Sequence, residues 1–196
     1  MNPRITSAAR RSGYTLVEVM MTLTLLGIMA AMAIPSFEPD IASQLASFAD
    51  VVAADLSQIR HYAVAHNSKY RITFEATQNR YFYEHTGTNS ALTTLPPTIY
   101  RHAANTSSKH HFDLDEMPHL GPTVYVHRVL AMTASPTVVT TLEFGPLGST
   151  TQSSDTVVWL RAGSDDRQRF ISIRINAVTG LAIPAAIDAV GPTVGG

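Results

Sequence analysis

Tyr14-Thr15-Leu16-Val17-Glu18-Val19-Met20-Met21-Thr22-Leu23-Thr24-Leu25-Leu26-Gly27-Ile28-Met29-Ala30-Ala31-Met32-Ala33-Ile34 is a run of 21 residues, 16 of them hydrophobic, whose one charge is Glu18. As a helix it reaches about 31 Å, close to one hydrocarbon thickness. The thirteen residues ahead of it carry Arg4, Arg10 and Arg11 and no acid. Basic residues on one flank keep that end cytoplasmic and send the remainder across the membrane. The chain therefore reads as a leader (1–13), a membrane-length helix (14–34) and a non-cytoplasmic body.

Three readings of this segment compete. It is a secretory signal cut after Ala31-Met32-Ala33, a plain membrane anchor, or a leader cut at Gly13 that leaves the apolar helix on the mature chain. Glu18 discriminates among them. A carboxylate inside a secretory apolar region costs a few kcal/mol and is normally excluded, so its presence asks for a purpose.

Arg11-Ser12-Gly13-Tyr14-Thr15-Leu16-Val17-Glu18 resembles the prepilin peptidase site of type IV pilins and type II secretion pseudopilins. The resemblance implies a cut between Gly13 and Tyr14, methylation of the Tyr14 amine, and an assembly role for Glu18. Tyrosine stands where phenylalanine is commoner. Gly27 and Pro35 fall where pilins carry a helix-loosening glycine and proline. The physics of Glu18 agrees with assembly. After cleavage Tyr14 carries a cationic α-amine, and an amine and a carboxylate are each costly in an apolar surrounding. Pairing one subunit's Glu18 with a neighbour's amine removes both penalties and sets the axial register. The bland alternative is an acid that snorkels to the interface.

Beyond Pro35 and Pro39, apolar residues recur at Ile41, Leu45, Phe48, Val52, Leu56, Ile59 and Ala63, alternating three and four apart. That spacing predicts one buried face of a helix. It defines an amphipathic segment (35–67) that continues the membrane helix and ends at Asn67-Ser68. Tyr70–Phe74 and Tyr81–Tyr83 form a hairpin about the turn 76–79. Residues 86–95 and Pro96-Pro97 read as a loop. Further strands are 123–130, 137–144, 156–160 and 170–175, with a turn at 145–148 and Trp159 as a core strand residue. The fold class is α+β: a long N-terminal helix, half membrane and half amphipathic, packed on an antiparallel domain (68–183) of two sheets. The Ala/Gly/Pro-rich tail (184–196) has no pattern and is expected to be mobile.

Asp55–Ala63, Ile72–Phe74, Asn79–Tyr81, Leu142–Gly148, Val157–Leu160, Ile171–Ile175 and Thr179-Gly180 are similar, as loose patterns, to the GspH/FimT branch of that superfamily. The branch implies a minor pseudopilin of a type II secretion pseudopilus or, alternatively, a minor pilin of a type IV pilus that acts in assembly, DNA uptake or adhesion. The implied partners are other pilins or pseudopilins, the prepilin peptidase, the inner-membrane assembly platform and the inner membrane itself. The implied location is a single pass through the bacterial inner membrane with the body in the periplasm, then a filament. Some minor pilins bind DNA through basic residues near the C-terminal glycine. Here Gly180-Leu181-Ala182-Ile183 offers none. Without the leader's three arginines the chain keeps 11 basic and 15 acidic residues, a balance that disfavours phosphate contacts.

Zero cysteines exclude disulfides and thiolate sites. His110, His111, Asp113, Asp115, Glu116 and His119 invite a metal. No paired-histidine helical spacing is present, however, and an exposed polar loop explains them. Asp165-Asp166 could offer oxygens to calcium, but a hairpin turn accounts for them equally well. There is no nucleophile elbow and no phosphate loop. The expectation is a structural protein with no catalytic residues, no cofactor and no metal.

Overall fold

The computed structural model describes residues 13–33, 40–98, 102–117 and 123–192. They fall into two units, one within Met1–Glu38 and one within Pro39–Gly196.

The first unit is helix α1 (Leu16–Ala33), 18 residues long and unbroken through Gly27. Leucine, methionine and alanine favour it intrinsically. Its threonines are satisfied inside the helix: the Thr22 hydroxyl donates to the Val19 carbonyl at 2.9 Å and Thr24 to Met20 at 2.8 Å. Every side chain from Gly13 to Ala30 is exposed. Among the described residues no helix is long and apolar enough to cross a membrane. Helix α1 covers about 27 Å at its ordinary rise, and Ile34 and Pro35 lie outside the described residues.

The second unit opens with helix α2 (Ile41–Ala65). Its N-cap is Asp40, whose side chain accepts the Ala42 N–H at 3.2 Å; the earlier part of the expected 35–67 segment lies outside the described residues. Asp40 is extended, as a capping residue is. The three-and-four spacing holds: Leu45, Phe48, Val52, Leu56, Ile59 and Ala63 are buried, with Ala49 and Ala53, and Ile41 packs at the margin. The helix ends where expected. Asn67 adopts a left-handed φ of 48°, its N–H bonds to the Val64 carbonyl, and the Ser68 N–H reaches back to Ala63. Together these form a Schellman cap with asparagine in the place usually held by glycine.

Two antiparallel sheets carry the rest. The first contains β1 (Tyr70–Glu75), β2 (Arg80–His85), β3 (Lys109–Asp113) and β6 (Thr141–Phe144), in the order β3-β2-β1-β6. The second contains β4 (Val124–Ala131), β5 (Thr137–Val138), β7 (Thr156–Ala162), β8 (Arg169–Ile175) and β9 (Ala182–Pro184), in the order β5-β4-β7-β8-β9. One apolar core joins the buried face of α2 to Tyr70, Ile72 and Phe144 of the first sheet and to Leu160, Ile171 and Ile173 of the second. The expected α+β class, with a helix on two antiparallel sheets, is what the molecule has.

Four local expectations are corrected. The segment 137–144 is not one strand. It changes sheets at Val139-Thr140, where the Val139 N–H bonds to Val129 of β4 at 2.9 Å and the Thr140 carbonyl accepts from Phe74 of β1 at 2.8 Å. Neighbouring residues of one extended run thus bond to different sheets. The polar run expected as a loop holds β3, with His110 and His111 buried; aromatic partners on β2 replace the apolar alternation that marks most strands. Trp159 is on β7 but only half-buried, on the face opposite the fully buried Val158 and Leu160. The tail is patterned as far as Asp188. Its β9 pairs with β8, and Phe170 and Asp188 exchange both backbone hydrogen bonds at 2.8 Å.

Candidate functional site

Residues 13–15 are exposed and outside any helix or strand, and helix α1 starts immediately after them. Thr15 is the cap. Its Oγ1 accepts the Glu18 N–H at 3.2 Å, and its carbonyl accepts from Val19, also at 3.2 Å. Threonine at the cap followed three residues later by glutamate is the capping-box spacing, a role for Glu18 that the sequence reading missed although T-x-x-E was legible in it. The carboxylate also stands at the positive end of the helix dipole, where a negative charge is favoured. Two demands therefore meet at position 18, one local and one a matter of charge.

The Gly13–Tyr14 bond precedes the cap. Gly13 has no atom near the position a side chain would take, and Tyr14 is 81% exposed. Further along, Met20, Leu23, Thr24, Gly27 and Ile28 line a shallow apolar groove on α1, opened by the missing side chain at Gly27. Of the sequence-derived residues, Glu18 and Gly27 lie on α1, Gly13 and Tyr14 directly precede it, and Pro35 lies outside the described residues.

The histidine-rich segment is divided among several roles. Tyr83 Oη and His110 Nδ1 share a hydrogen bond 3.1 Å long. His111 packs at a tilt against Phe82, with ring centres 5.0 Å apart. Burial lowers the proton affinity of both histidines. Asp115 accepts from the Asn79 amide at 2.7 Å, and His119 lies outside the described residues. A residue that the sequence reading did not select, His102, comes within 3.8 Å of Asp113 and 3.9 Å of Glu116, so that three potential ligand atoms lie within 4.8 Å of one another. The donor set is undone by its tautomer. The Ala104 N–H donates to His102 Nδ1 at 3.0 Å, which leaves the proton of a neutral ring on Nε2, the atom that faces the carboxylates. A ligating imidazole instead needs an acceptor at its far nitrogen. Asp165 and Asp166 lie in a single turn between β7 and β8, Asp165 with a φ of 50°, as a hairpin connection.

Ser68 Oγ lies 2.7 Å from His85 Nε2, the spacing of a nucleophile and its base. Ser68 is buried, and among the described residues His85 Nδ1 is buried with no partner that would orient the ring as a catalytic triad requires.

Residues 8–34 match the prokaryotic N-terminal methylation motif, the prepilin-type motif; the match contains Gly13, Tyr14, Glu18 and Gly27. A comparison with solved structures finds the type IV minor pilin FimU of Pseudomonas aeruginosa PAO1, at 14% sequence identity and a TM-score of 0.44, over 75% of this chain and 90% of that one. No curated protein sequence matches the chain.

Proposed function

We propose that this chain, whose N-terminus is of the prepilin type, is a minor subunit of a pilus-like filament, cut between Gly13 and Tyr14 and methylated on the Tyr14 amine. One observation carries the reading: an apolar helix, exposed on every side, starts at a Thr15–Glu18 cap directly behind an accessible Gly–Tyr bond. A helix that is apolar all round needs lipid or neighbouring helices against it. Inserted in the inner membrane with its β-domain in the periplasm, it would leave the bilayer by packing among the helices of other subunits. Glu18 would then meet the Tyr14 amine of a neighbour. Gly27 and Pro35 would loosen the helix as it changes surroundings. The partners of this reading are the prepilin peptidase, the assembly platform and other pilins or pseudopilins.

The residues that carry this proposal are shared by type II secretion pseudopili and type IV pili, and the chain's role is structural in both. The test of processing is mass spectrometry of the mature N-terminus. The expected result is methyl-Tyr14; a chain beginning at Ile34 would mean release by signal peptidase and would overturn the proposal. Disrupting the gene and measuring both protein secretion and surface piliation assigns the filament.

A further inference from the structure

A cavity of about 120 Å³ opens between α2 and the first sheet, lined by Asp55, Gln58, Tyr62, Tyr83, Thr98 and Phe112, together with Pro97. Three of its seven lining residues are aromatic. The Tyr62 and Tyr83 ring centres are 6.2 Å apart and those of Tyr83 and Phe112 are 6.0 Å apart. The Tyr62 hydroxyl is held by the Gln58 amide at 2.8 Å and the Tyr83 hydroxyl by His110 at 3.1 Å, which fixes both rings. Asp55 supplies the carboxyl, which accepts a hydrogen bond from the Tyr81 hydroxyl. Among the described residues no lysine, arginine or histidine forms an ion pair with it.

A half-buried carboxylate with aromatic neighbours and, among the described residues, no cation is an incomplete electrostatic arrangement. Buried charges are ordinarily paired, and aromatic faces attract cations through their quadrupole. Sodium or magnesium would find one carboxylate and no further charged ligand, too few for a hard ion. An organic ammonium differs: it gives N–H or N–CH₃ groups to the carboxylate and spreads its remaining surface over the rings. We infer that the Asp55 cavity binds the head of an alkylammonium ion, with Asp55 as counter-charge and Tyr62, Tyr83 and Phe112 as the aromatic wall. Burial raises the Asp55 carboxyl to about 6, so it is ionised at neutral pH. An occupying cation would draw that value back down. This inference does not depend on filament assembly.

The test uses the full chain in detergent micelles, titrated with butylammonium chloride and, separately, with tetramethylammonium chloride, against sodium chloride at equal ionic strength. Ring signals of Tyr62 and Tyr83 should shift saturably with the ammonium salts and stay unmoved with sodium. Asp55→Asn keeps the acceptor for Tyr81 and should weaken binding by about tenfold or more, the size of one lost charge-assisted contact. Equal responses to ammonium and sodium in the unaltered chain overturn the inference, and so does undiminished binding by a folded Asp55→Asn. Acetyl-lysine-methylamide, titrated in parallel, separates the sources. Tighter binding than butylammonium identifies a protein lysine as the occupant, and equal binding identifies a free amine.

Discussion

Arg60 Nε donates to the Thr179 carbonyl at 2.7 Å and to the Gly148 carbonyl at 3.2 Å, tying helix α2 to two separate turns. Both turns need glycine. Gly148 and Gly180 have φ values of 80° and 64°, and a Cβ on Gly180 would lie 2.0 Å from the Gly148 carbonyl oxygen. Arg60→Ala leaves these carbonyls without their donor and is expected to destabilise the globular unit by about 1–3 kcal/mol. Gly180→Ala should be at least as damaging, because strain and collision add. Urea unfolding of the two variants followed by circular dichroism checks both, and a midpoint unchanged in Arg60→Ala would remove the bond's importance.

Asn79 does more than turn the β1–β2 hairpin. Its φ is 50°, its amide donates to the Val124 carbonyl at 2.8 Å, and its Oδ1 accepts the Val126 N–H at 2.9 Å. The first sheet thereby holds β4 of the second through one buried side chain. Asn79→Ala orphans a buried donor and a buried acceptor, and an expected loss of about 2–4 kcal/mol follows. Gly at this position relieves the backbone but not the orphans, so Asn79→Gly should recover only part of the loss in thermal melts.

Glu18 answers to two tests that separate its roles. Glu18→Gln retains a side chain suited to the capping box but loses the charge, whereas Glu18→Ala loses both. If the charge pairs with a neighbour's amine, both variants are cleaved after Gly13 and both enter filaments poorly. Recovery of filaments by Glu18→Gln alone would assign the residue to the helix start. Immunoblotting of sheared filament fractions against the membrane fraction reads the outcome.

Asp55 predicts a pH dependence with a definite sign. Its carboxyl sits at about 6 in the fold against an ordinary 3.8, because burial disfavours the charge more than the Tyr81 hydrogen bond favours it. Between about pH 4 and pH 6 the unfolded chain gives up this proton and the folded chain keeps it, so this group's contribution to stability falls as pH rises. Relative to the unaltered chain, Asp55→Asn should therefore gain stability from pH 4 to pH 7. Melting both proteins across that range isolates the group; a constant difference would contradict the burial effect.

The stretch after Pro184 covers the outer face of the second sheet. Gly191 approaches Phe170 so closely that a Cβ would lie 2.9 Å from its ring, and Trp159 lines the same hollow with Val190 and Pro192. Truncation after Pro184 should redden the emission of Trp159, the chain's single tryptophan, and lower the melting temperature. Unshifted fluorescence would show that the tail leaves Trp159 as it found it.

Where apolar residues repeat, the fold was legible. The α2 face, the β1–β2 hairpin and the alternation of Ile171, Ile173 and Ile175 follow from period alone. What escaped is what long-range pairing decides. His110 and His111 look like a polar loop until Phe82 and Tyr83 stand opposite them. Val139 and Thr140 sit in an unbroken extended run, and only partners on β4 and β1 divide it. The N-terminal motif was readable because its residues are neighbours in the chain and need no long-range partner to be recognised. The Asp55 cavity was not, since α2, β2 and the 97–98 segment meet there only in the folded chain.

The cap at Thr15 has a kinetic meaning. Cleavage after Gly13 would make this threonine the second residue of the mature chain and leave its bond to the Glu18 N–H untouched. Starting a helix is the slow, unfavourable part of forming one. Here that nucleus lies wholly downstream of the Gly13–Tyr14 bond, so under the proposed processing the helix would be complete before cleavage and would not need rebuilding afterwards. Loss of the leader would change the charge at the helix's threshold and nothing in its first turn.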